Sequence, residues 1–387
     1  MYKRLAIFFL ATLLPLACVS GNGQTVPDTA IEALLQQMTL REKVGQLFYV
    51  RPEALCPEYE ASGKGMVTYS LQEVTAGMRE RARKYPVGGI VLFAHNIGDP
   101  AQLTAFTDSL HRLPGRPLLA IDEEGGRVAR IGNNERFDVF RVPSIAEVGA
   151  TGKPQLAFDT GKAIGGYLKK YGFHIDFAPV ADVNTNPENI VIGKRAFSDH
   201  PAKAAPMVAK YLEGLASAGI TGCLKHFPGH GDTKDDSHTG YVQTDKNWDE
   251  LLRCELIPFQ AGIKAGARLI MTAHIAAPRI TGSDVPATLS PLMLQDKLRG
   301  ELGYDGIIVS DALGMGAISK HYSSAESAVL CLKAGGDILL MPEKLPEAFE
   351  AVLKAVENGE ISEGRIDESV RRILGLKASC LDCIKVY

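Results

Sequence analysis

The stretch that decides the fold is Ala218-Gly219-Ile220-Thr221-Gly222-Cys223-Leu224-Lys225-His226, which continues as Phe227-Pro228-Gly229-His230-Gly231-Asp232. A helical pattern ends at Gly219, residues 220–224 form a short apolar strand, and Lys225 begins a charged run. Pro228 and the glycines exclude a continuous helix, so we expect these charged groups at the strand end and in the following loop. A polar surface turn is the plain alternative, but a lysine that emerges directly from a buried strand favours an active site.

The same unit recurs along the chain: a helical pattern, a glycine, and a short apolar strand that ends in a polar residue. The glycines are Gly172, Gly219, Gly266, Gly303 and Gly335, and the strands after them lie at 175–180, 220–224, 269–273, 307–310 and 338–340. Earlier strands are predicted at 47–50, 89–93 and 118–121, and a capping box of Thr39 and Glu42 starts the helix before the first of them. Eight strands alternating with helices predict an α/β fold, a (β/α)8 TIM-type barrel. A doubly wound open sheet is the alternative, but its Gly-x-Gly-x-x-Gly signature is missing from the first βα unit.

In a barrel the carboxyl ends of all strands converge on one face, so residues distant in sequence become neighbours there. The polar residues at these ends are Asp122, Asp182, Lys225, His226, His274 and Asp311. Such a ring of carboxylates, cations and imidazoles suits a polyhydroxylated substrate. For Asp182 and His274 an ion pair or other supporting role at the barrel mouth is an equally good interpretation, because ion-pair networks imitate sites.

Metal chemistry is weakly supported by the sequence. His226 and His230 have the i, i+4 spacing of a zinc-binding helix, but Pro228 and Gly229 between them deny that helix, so we expect no metal and no cofactor. Most of the seven cysteines stand singly in apolar patterns and predict small buried side chains. Cys380 and Cys383 are the exception, since they could close a local disulfide or form half of a metal site.

The N-terminal residues have the pattern of an export signal. Residues 1–18 carry basic residues, an apolar run too short to span a bilayer and a lipobox-like end at Cys18, although Pro15 stands where an aliphatic residue is usual. Residues 19–29 form a polar, flexible tether. We therefore expect an exported protein, periplasmic or on the cell surface, with a possible membrane anchor on a lipidated Cys18. The net charge of -3 gives no basic surface for nucleic acid.

Five motifs in the chain resemble glycoside hydrolase family 3, and more narrowly its bacterial β-N-acetylglucosaminidases. They lie at residues 38–48 (MTLREKVGQLF), 121–128 (IDEEGGRV), 225–233 (KHFPGHGDT), 236–238 (DSH) and 310–315 (SDALGM). The resemblance covers nearly the whole chain after the tether. It implies a carbohydrate substrate with a terminal β-linked N-acetylglucosamine (GlcNAc), cleaved with retention of configuration from peptidoglycan fragments or chitooligosaccharides.

The resemblance also implies a role for each matching residue. Asp311 corresponds to the nucleophile, while His238 corresponds to the acid/base and Asp236 to the aspartate that supports it. An imidazole suits this work because it titrates near neutral pH without burial. The matching substrate contacts are Asp122, Arg130, Arg195, Lys225 and His226.

The resemblance further implies a barrel domain at residues 30–377 and a tail at 378–387, without the C-terminal sandwich domain that many relatives carry. Three alternatives remain open at this point. Two belong to the same family, a GlcNAc phosphorylase and a β-glucosidase. The third is a sugar-binding lipoprotein without catalysis, which the presence of Asp236, His238 and Asp311 argues against.

Overall fold

The computed structural model describes residues 28–234 and 240–381. Its strands are β1 (Phe48–Val50), β2 (Gly89–Leu92), β3 (Leu118–Ile121), β4 (Ile175–Asp176), β5 (Thr221–Phe227), β6 (Leu269–Thr272), β7 (Ile307–Ser310) and β8 (Leu339–Leu340). All pairings are parallel and follow chain order from β1 to β7, and β1 also pairs with β8. A bridge between Val309 and Ile338 joins β7 to β8 and completes the ring. The predicted (β/α)8 barrel is therefore confirmed, and the open doubly wound sheet is excluded.

Helices surround this ring. The α-helices of the described residues are α1 (Asp28–Gln37), α2 (Leu40–Gln46), α3 (Pro57–Ser62), α4 (Met66–Tyr69), α5 (Ala76–Lys84), α6 (Pro100–Leu110), α7 (Ile145–Ala150), α8 (Pro154–Lys170), α9 (Pro201–Ser217), α10 (Trp248–Arg253), α11 (Leu256–Lys264), α12 (Pro278–Thr281), α13 (Gly316–Ser319), α14 (Ser324–Ala334), α15 (Leu345–Glu357) and α16 (Glu363–Cys380). Short 3-10 turns lie at Pro52–Leu55, Ala94–Asn96, Gly193–Arg195 and Ala287–Leu289, and Leu292–Glu301 is a π-helix. The first helix, α1, begins at Asp28, two residues before the predicted start of the barrel domain at residue 30. The last helix, α16, ends at Cys380, three residues after the predicted end at residue 377.

The glycines that follow the helices explain why the chain turns back into the barrel where it does. Each of the five has a left-handed φ between 65° and 109°, a conformation that side-chain-bearing residues rarely adopt. The capping box that begins α2 is also present, because the Thr39 hydroxyl accepts from the Glu42 N–H and the Glu42 carboxylate accepts from the Thr39 N–H. Sequence therefore predicts these boundaries well.

Strand β5 corrects one expectation. Lys225 and His226 were predicted at the strand end and in the loop, but β5 continues through both to Phe227. The backbone explains the extension, since the Lys225 carbonyl accepts from the Ala181 N–H at 2.7 Å and the Phe227 carbonyl accepts from the Ala273 N–H at 2.7 Å. The charged groups thus project from the strand itself into the mouth of the barrel.

The amino-terminal face of the barrel holds charge of a different kind. Asp337, just before β8, is fully buried and lies 2.6 Å from the Arg299 guanidinium and 3.1 Å from that of Arg372. The Ile308 N–H and the Ser369 hydroxyl also donate to this carboxylate. Because active sites of such barrels lie on the opposite face, this cluster serves stability.

Several predicted features lie outside the described residues. They are the export signal with Cys18, the pair Asp236 and His238, and Cys383. Within the described ranges no helix combines the length and the apolar content that crossing a membrane requires. Signal, anchor and localisation therefore stay predictions.

Candidate active site

A buried network of charges organises the carboxyl-terminal face of the barrel. The Lys225 side chain, 2% exposed, places Nζ 2.8 Å from Asp122 Oδ1 and 2.6 Å from Glu124 Oε1. Arg195 donates from Nε to Glu124 Oε2 and from Nη2 to Glu124 Oε1, both at 2.8 Å. Two cations therefore face two carboxylates, which is the balance that buried charges require.

Three members of this network, Glu124, Arg195 and Lys225, are held in their charged forms. Burial alone would raise the pKa of the Glu124 carboxyl, but the charges of Arg195 and Lys225 outweigh burial and lower that pKa well below its ordinary range. Burial would likewise lower the pKa of Lys225, yet Asp122 and Glu124 raise it above the ordinary value. These three groups therefore stay charged across the physiological pH range.

Glu123 shapes the loop that follows β3. Its buried carboxylate accepts from the backbone N–H groups of Arg130, Ile131 and Gly132 at 2.6, 2.9 and 2.7 Å, and from the Tyr167 hydroxyl at 2.8 Å. Three of these donors belong to the loop and the fourth to α8, so the carboxylate ties the loop backbone to that helix. The loop in turn sets the position of the Arg130 side chain.

The Arg130 guanidinium lies between an aromatic ring and a carboxylate. It stands 5.3 Å from the centre of the Phe93 ring, a cation–π distance, and its Nη2 is 3.4 Å from Asp122 Oδ2. Asp122 thus accepts from Arg130 on one oxygen and from Lys225 on the other, while 18% of its side chain stays exposed to the pocket. A carboxylate held in this way presents its remaining lone pairs to ligand hydroxyls.

Asp182 has a positioning role. Fully buried, it accepts from His226 Nδ1 at 2.7 Å, from the His226 N–H at 3.2 Å and from the His230 N–H at 2.7 Å. Because an ionised carboxylate only accepts, Nδ1 of His226 carries a proton, which fixes the orientation of the ring. The interpretation of Asp182 as a supporting group at the barrel mouth is thereby favoured.

His274 supports the residue after the predicted nucleophile. Its buried ring lies 2.9 Å from the Ala312 carbonyl through Nε2 and 3.0 Å from the Thr288 hydroxyl through Nδ1. The Ala312 N–H donates to Asp311 Oδ1 at 2.7 Å, so this backbone holds the carboxylate at the end of β7. His274 does not line the pocket and acts through this backbone.

These elements enclose a pocket of about 490 Å³. It contains every predicted site residue that the structure describes, namely Asp122, Arg130, Arg195, Lys225, His226 and Asp311. The pocket is also lined by four residues that the sequence did not indicate as site residues, namely Glu124, Arg127, His230 and Ile190. Among residues 28–234 and 240–381, no group of three or more His, Cys, Asp or Glu side chains is arranged to hold a metal ion.

The chain on both sides of residues 235–239, which include Asp236 and His238, is fixed to the barrel. Lys246 follows these residues and Asp232 precedes them, and the Lys246 ammonium lies 3.2 Å from Asp232 Oδ1. Lys246 also pairs with the fully buried Glu255. The Thr244 N–H donates to the Ala276 carbonyl at 2.9 Å, just beyond β6. Both flanks therefore lie at the rim of the same barrel face.

Comparison with known proteins gives the family. The profile described as "Glycosyl hydrolase family 3 N terminal domain" matches residues 39–376. The chain belongs to glycosyl hydrolase family 3. It is 34% identical over 369 residues to "Beta-hexosaminidase A" of Pseudoalteromonas piscicida, covering 88% of this chain and 61% of that protein. It is 37% identical to "Beta-hexosaminidase" of Stenotrophomonas maltophilia K279a, covering 72% and 84%.

Among solved structures, this family 3 chain resembles a β-N-acetylglucosaminidase from Paenibacillus sp. FPU-7. The TM-score is 0.79 at 38% identity, and the match covers 88% of this chain and 62% of that one. The chain thus spans about three fifths of the length of this enzyme and of the Pseudoalteromonas protein.

The charge network generates a stability prediction. In Glu124→Gln the volume is kept, but Lys225 and Arg195 remain buried, and Lys225 keeps only its ion pair with Asp122 among the pairs described above. We expect the free energy of unfolding to fall by about 3 kcal/mol, because removing one partner leaves buried charge uncompensated. Urea unfolding of the wild type and the variant measures this loss.

The matched control for that measurement is Glu213→Gln, which removes the same charge from a half-exposed surface pair with Lys210. Exposed pairs contribute little, so a change within about 0.5 kcal/mol is expected there. Equal small effects in the two variants would contradict the account of the network.

Proposed function

We propose that this chain removes terminal β-linked GlcNAc residues from oligosaccharides by a retaining double displacement. The observation that carries the proposal is the position of Asp311, whose carboxylate lines the same pocket as the network of Asp122, Lys225 and Arg195. A pocket with one buried polar end suits an enzyme that binds one terminal sugar. The relatives named β-hexosaminidase and β-N-acetylglucosaminidase support the choice of sugar.

Sugar binding is assigned to the charged rim of the pocket. Asp122 accepts from sugar hydroxyls, while Arg130, Arg195, Lys225 and His226 donate to sugar oxygens. These hydrogen bonds are charge-assisted and therefore stronger than neutral ones. Because the donors and acceptors are already held by one another, little ordering is needed when the sugar binds.

The two chemical steps are assigned to three residues. In the first step an Asp311 oxygen forms a bond to the anomeric carbon, the bond to the leaving oxygen breaks, and His238 gives that oxygen a proton. In the second step His238 takes a proton from water, whose oxygen attacks the anomeric carbon and releases Asp311. Asp236 orients the imidazole and stabilises its charged form.

The natural leaving group and the cellular location belong to the proposal as well. Peptidoglycan fragments and chitooligosaccharides both offer a terminal β-linked GlcNAc. Export and a lipid anchor on Cys18 would bring the enzyme to such polymers outside the cytoplasm. The N-terminal pattern supports this part of the proposal.

A substrate comparison tests the proposed activity. We expect 4-nitrophenyl β-GlcNAc to be hydrolysed at least about tenfold faster than the β-glucoside, because a site that hydrogen-bonds an acetamido group rejects the analogue that lacks it. Faster cleavage of the glucoside would instead assign a β-glucosidase. Phosphate-dependent turnover to the sugar 1-phosphate would assign a phosphorylase, and sugar binding without turnover would assign a binding protein.

A second experiment tests the division of work given to His238. His238→Gly is expected to slow cleavage of the GlcNAc disaccharide by roughly 10²–10⁴-fold, because its leaving oxygen needs a proton. The rate of cleavage of an aryl glycoside with a good leaving group should fall much less in this variant. Azide needs no base, so it should restore part of the turnover of the aryl glycoside.

The control for this experiment is His200→Gly, at an exposed position before α9 that does not line the pocket. It should retain wild-type rates on both substrates. Equal losses on both substrates in His238→Gly, without rescue by azide, would show that another group is the acid/base.

A further inference from the structure

Ile190 is an exposed apolar side chain at the mouth of the active-site pocket. Among the described residues the large exposed apolar side chains are Phe140, Leu156, Ile190 and Tyr241, and of these only Ile190 lines the pocket. It is also the most exposed of them, at 78%. Single exposed apolar residues are common on proteins, so exposure by itself carries no argument. The inference rests instead on the hydrogen bonds that hold the segment around Ile190 in place.

The backbone around Ile190 is held by the buried side-chain amide of Asn189. Asn189 is 3% exposed, and its Oδ1 accepts from the N–H groups of Val191 and Ile192 at 3.0 and 2.8 Å. Its Nδ2 donates to the His230 carbonyl at 2.7 Å, which links this segment to the loop after β5. Ile190 thus lies in a turn that the Asn189 side chain holds through three hydrogen bonds.

Two arginines hold the same segment from the side. Arg127 donates to the carbonyls of Ile190 and Val191 at 3.0 and 2.7 Å, and Arg195 donates to the Val191 carbonyl at 3.0 Å. Arg195 also donates to the Glu124 carboxylate from Nε and Nη2. The position of Ile190 is therefore set by the same charge network that forms the sugar site.

We propose that Ile190 forms an apolar contact for the leaving group, and that it favours leaving groups with an apolar face next to the scissile bond. This inference rests on the proposed function. The polar contacts assigned to the terminal sugar include the buried residues Lys225 and His226, so the part of the substrate that extends past them towards solvent is the leaving group. An aryl ring or the C–H face of a second sugar would cover Ile190 and remove its apolar surface from water.

Binding of non-hydrolysable ligands tests this contact without the chemical step. The experiment measures dissociation constants of GlcNAc and of phenyl 1-thio-β-GlcNAc by calorimetry, for the wild type and Ile190→Ser. The thioglycoside should bind about fivefold to tenfold more weakly to the variant, as expected for the loss of a modest apolar contact. GlcNAc, which lacks the phenyl group, should bind both proteins equally.

Two further variants complete the design. Phe140→Ser removes an exposed apolar side chain that does not line the pocket and should leave both constants unchanged. Ile190→Leu keeps the apolar surface and should keep most of the affinity for the thioglycoside.

Each other result overturns a specific claim. Equal weakening of both ligands in Ile190→Ser would mean that Ile190 shapes the sugar site, and no weakening of either would mean that it makes no contact; both overturn the inference alone. A wild type that binds neither ligand would overturn the proposed function, and the inference with it.

Discussion

The pairing of Lys225 with Glu124 is the interaction on which the active-site face depends. Lys225 projects from β5 and Glu124 follows β3, so their contact spans β4 between them. A lysine and a glutamate buried this deeply are stable only together, with Arg195 and Asp122 completing the balance of charge. The network thereby joins β3, β5 and the loop after β4 into one rigid wall. If these groups bind the sugar as proposed, they need not be reordered for each turnover.

Much of the fold could be predicted because it rests on local requirements. Parallel strands buried on both faces must be continuous apolar runs, and a helix that turns back into such a strand needs a left-handed residue such as Gly172 or Gly335. Both signals are visible in the chain. The extension of β5 through Lys225 could not be predicted in the same way. A charged Lys225 within a strand is stable only with partners from other strands, and these partners are fixed by the fold.

The site was predicted less completely, for a similar reason. The family resemblance indicated six of the residues that line the pocket. It did not indicate that Glu124, in the acidic run after β3, makes the central charge contact. The roles of Asp182 and His274 needed distances, since the same residue types serve as ligands or as supports. Ile190 could not be found at all, because an apolar residue in a sequence predicts burial.

Binding and bond formation are assigned to different groups on the carboxyl-terminal face of the barrel. In the proposed mechanism the charged network holds the sugar, and the Asp311 carboxylate at the end of β7 lines the same pocket. Trapping with 5-fluoro-GlcNAc fluoride, followed by peptide mass spectrometry, tests this account most directly, because the trapped sugar stays on the nucleophile. The label should lie on the peptide that contains Asp311 and should be absent in Asp311→Asn. A label on Asp122, or turnover of the reagent with no covalent adduct, would contradict it.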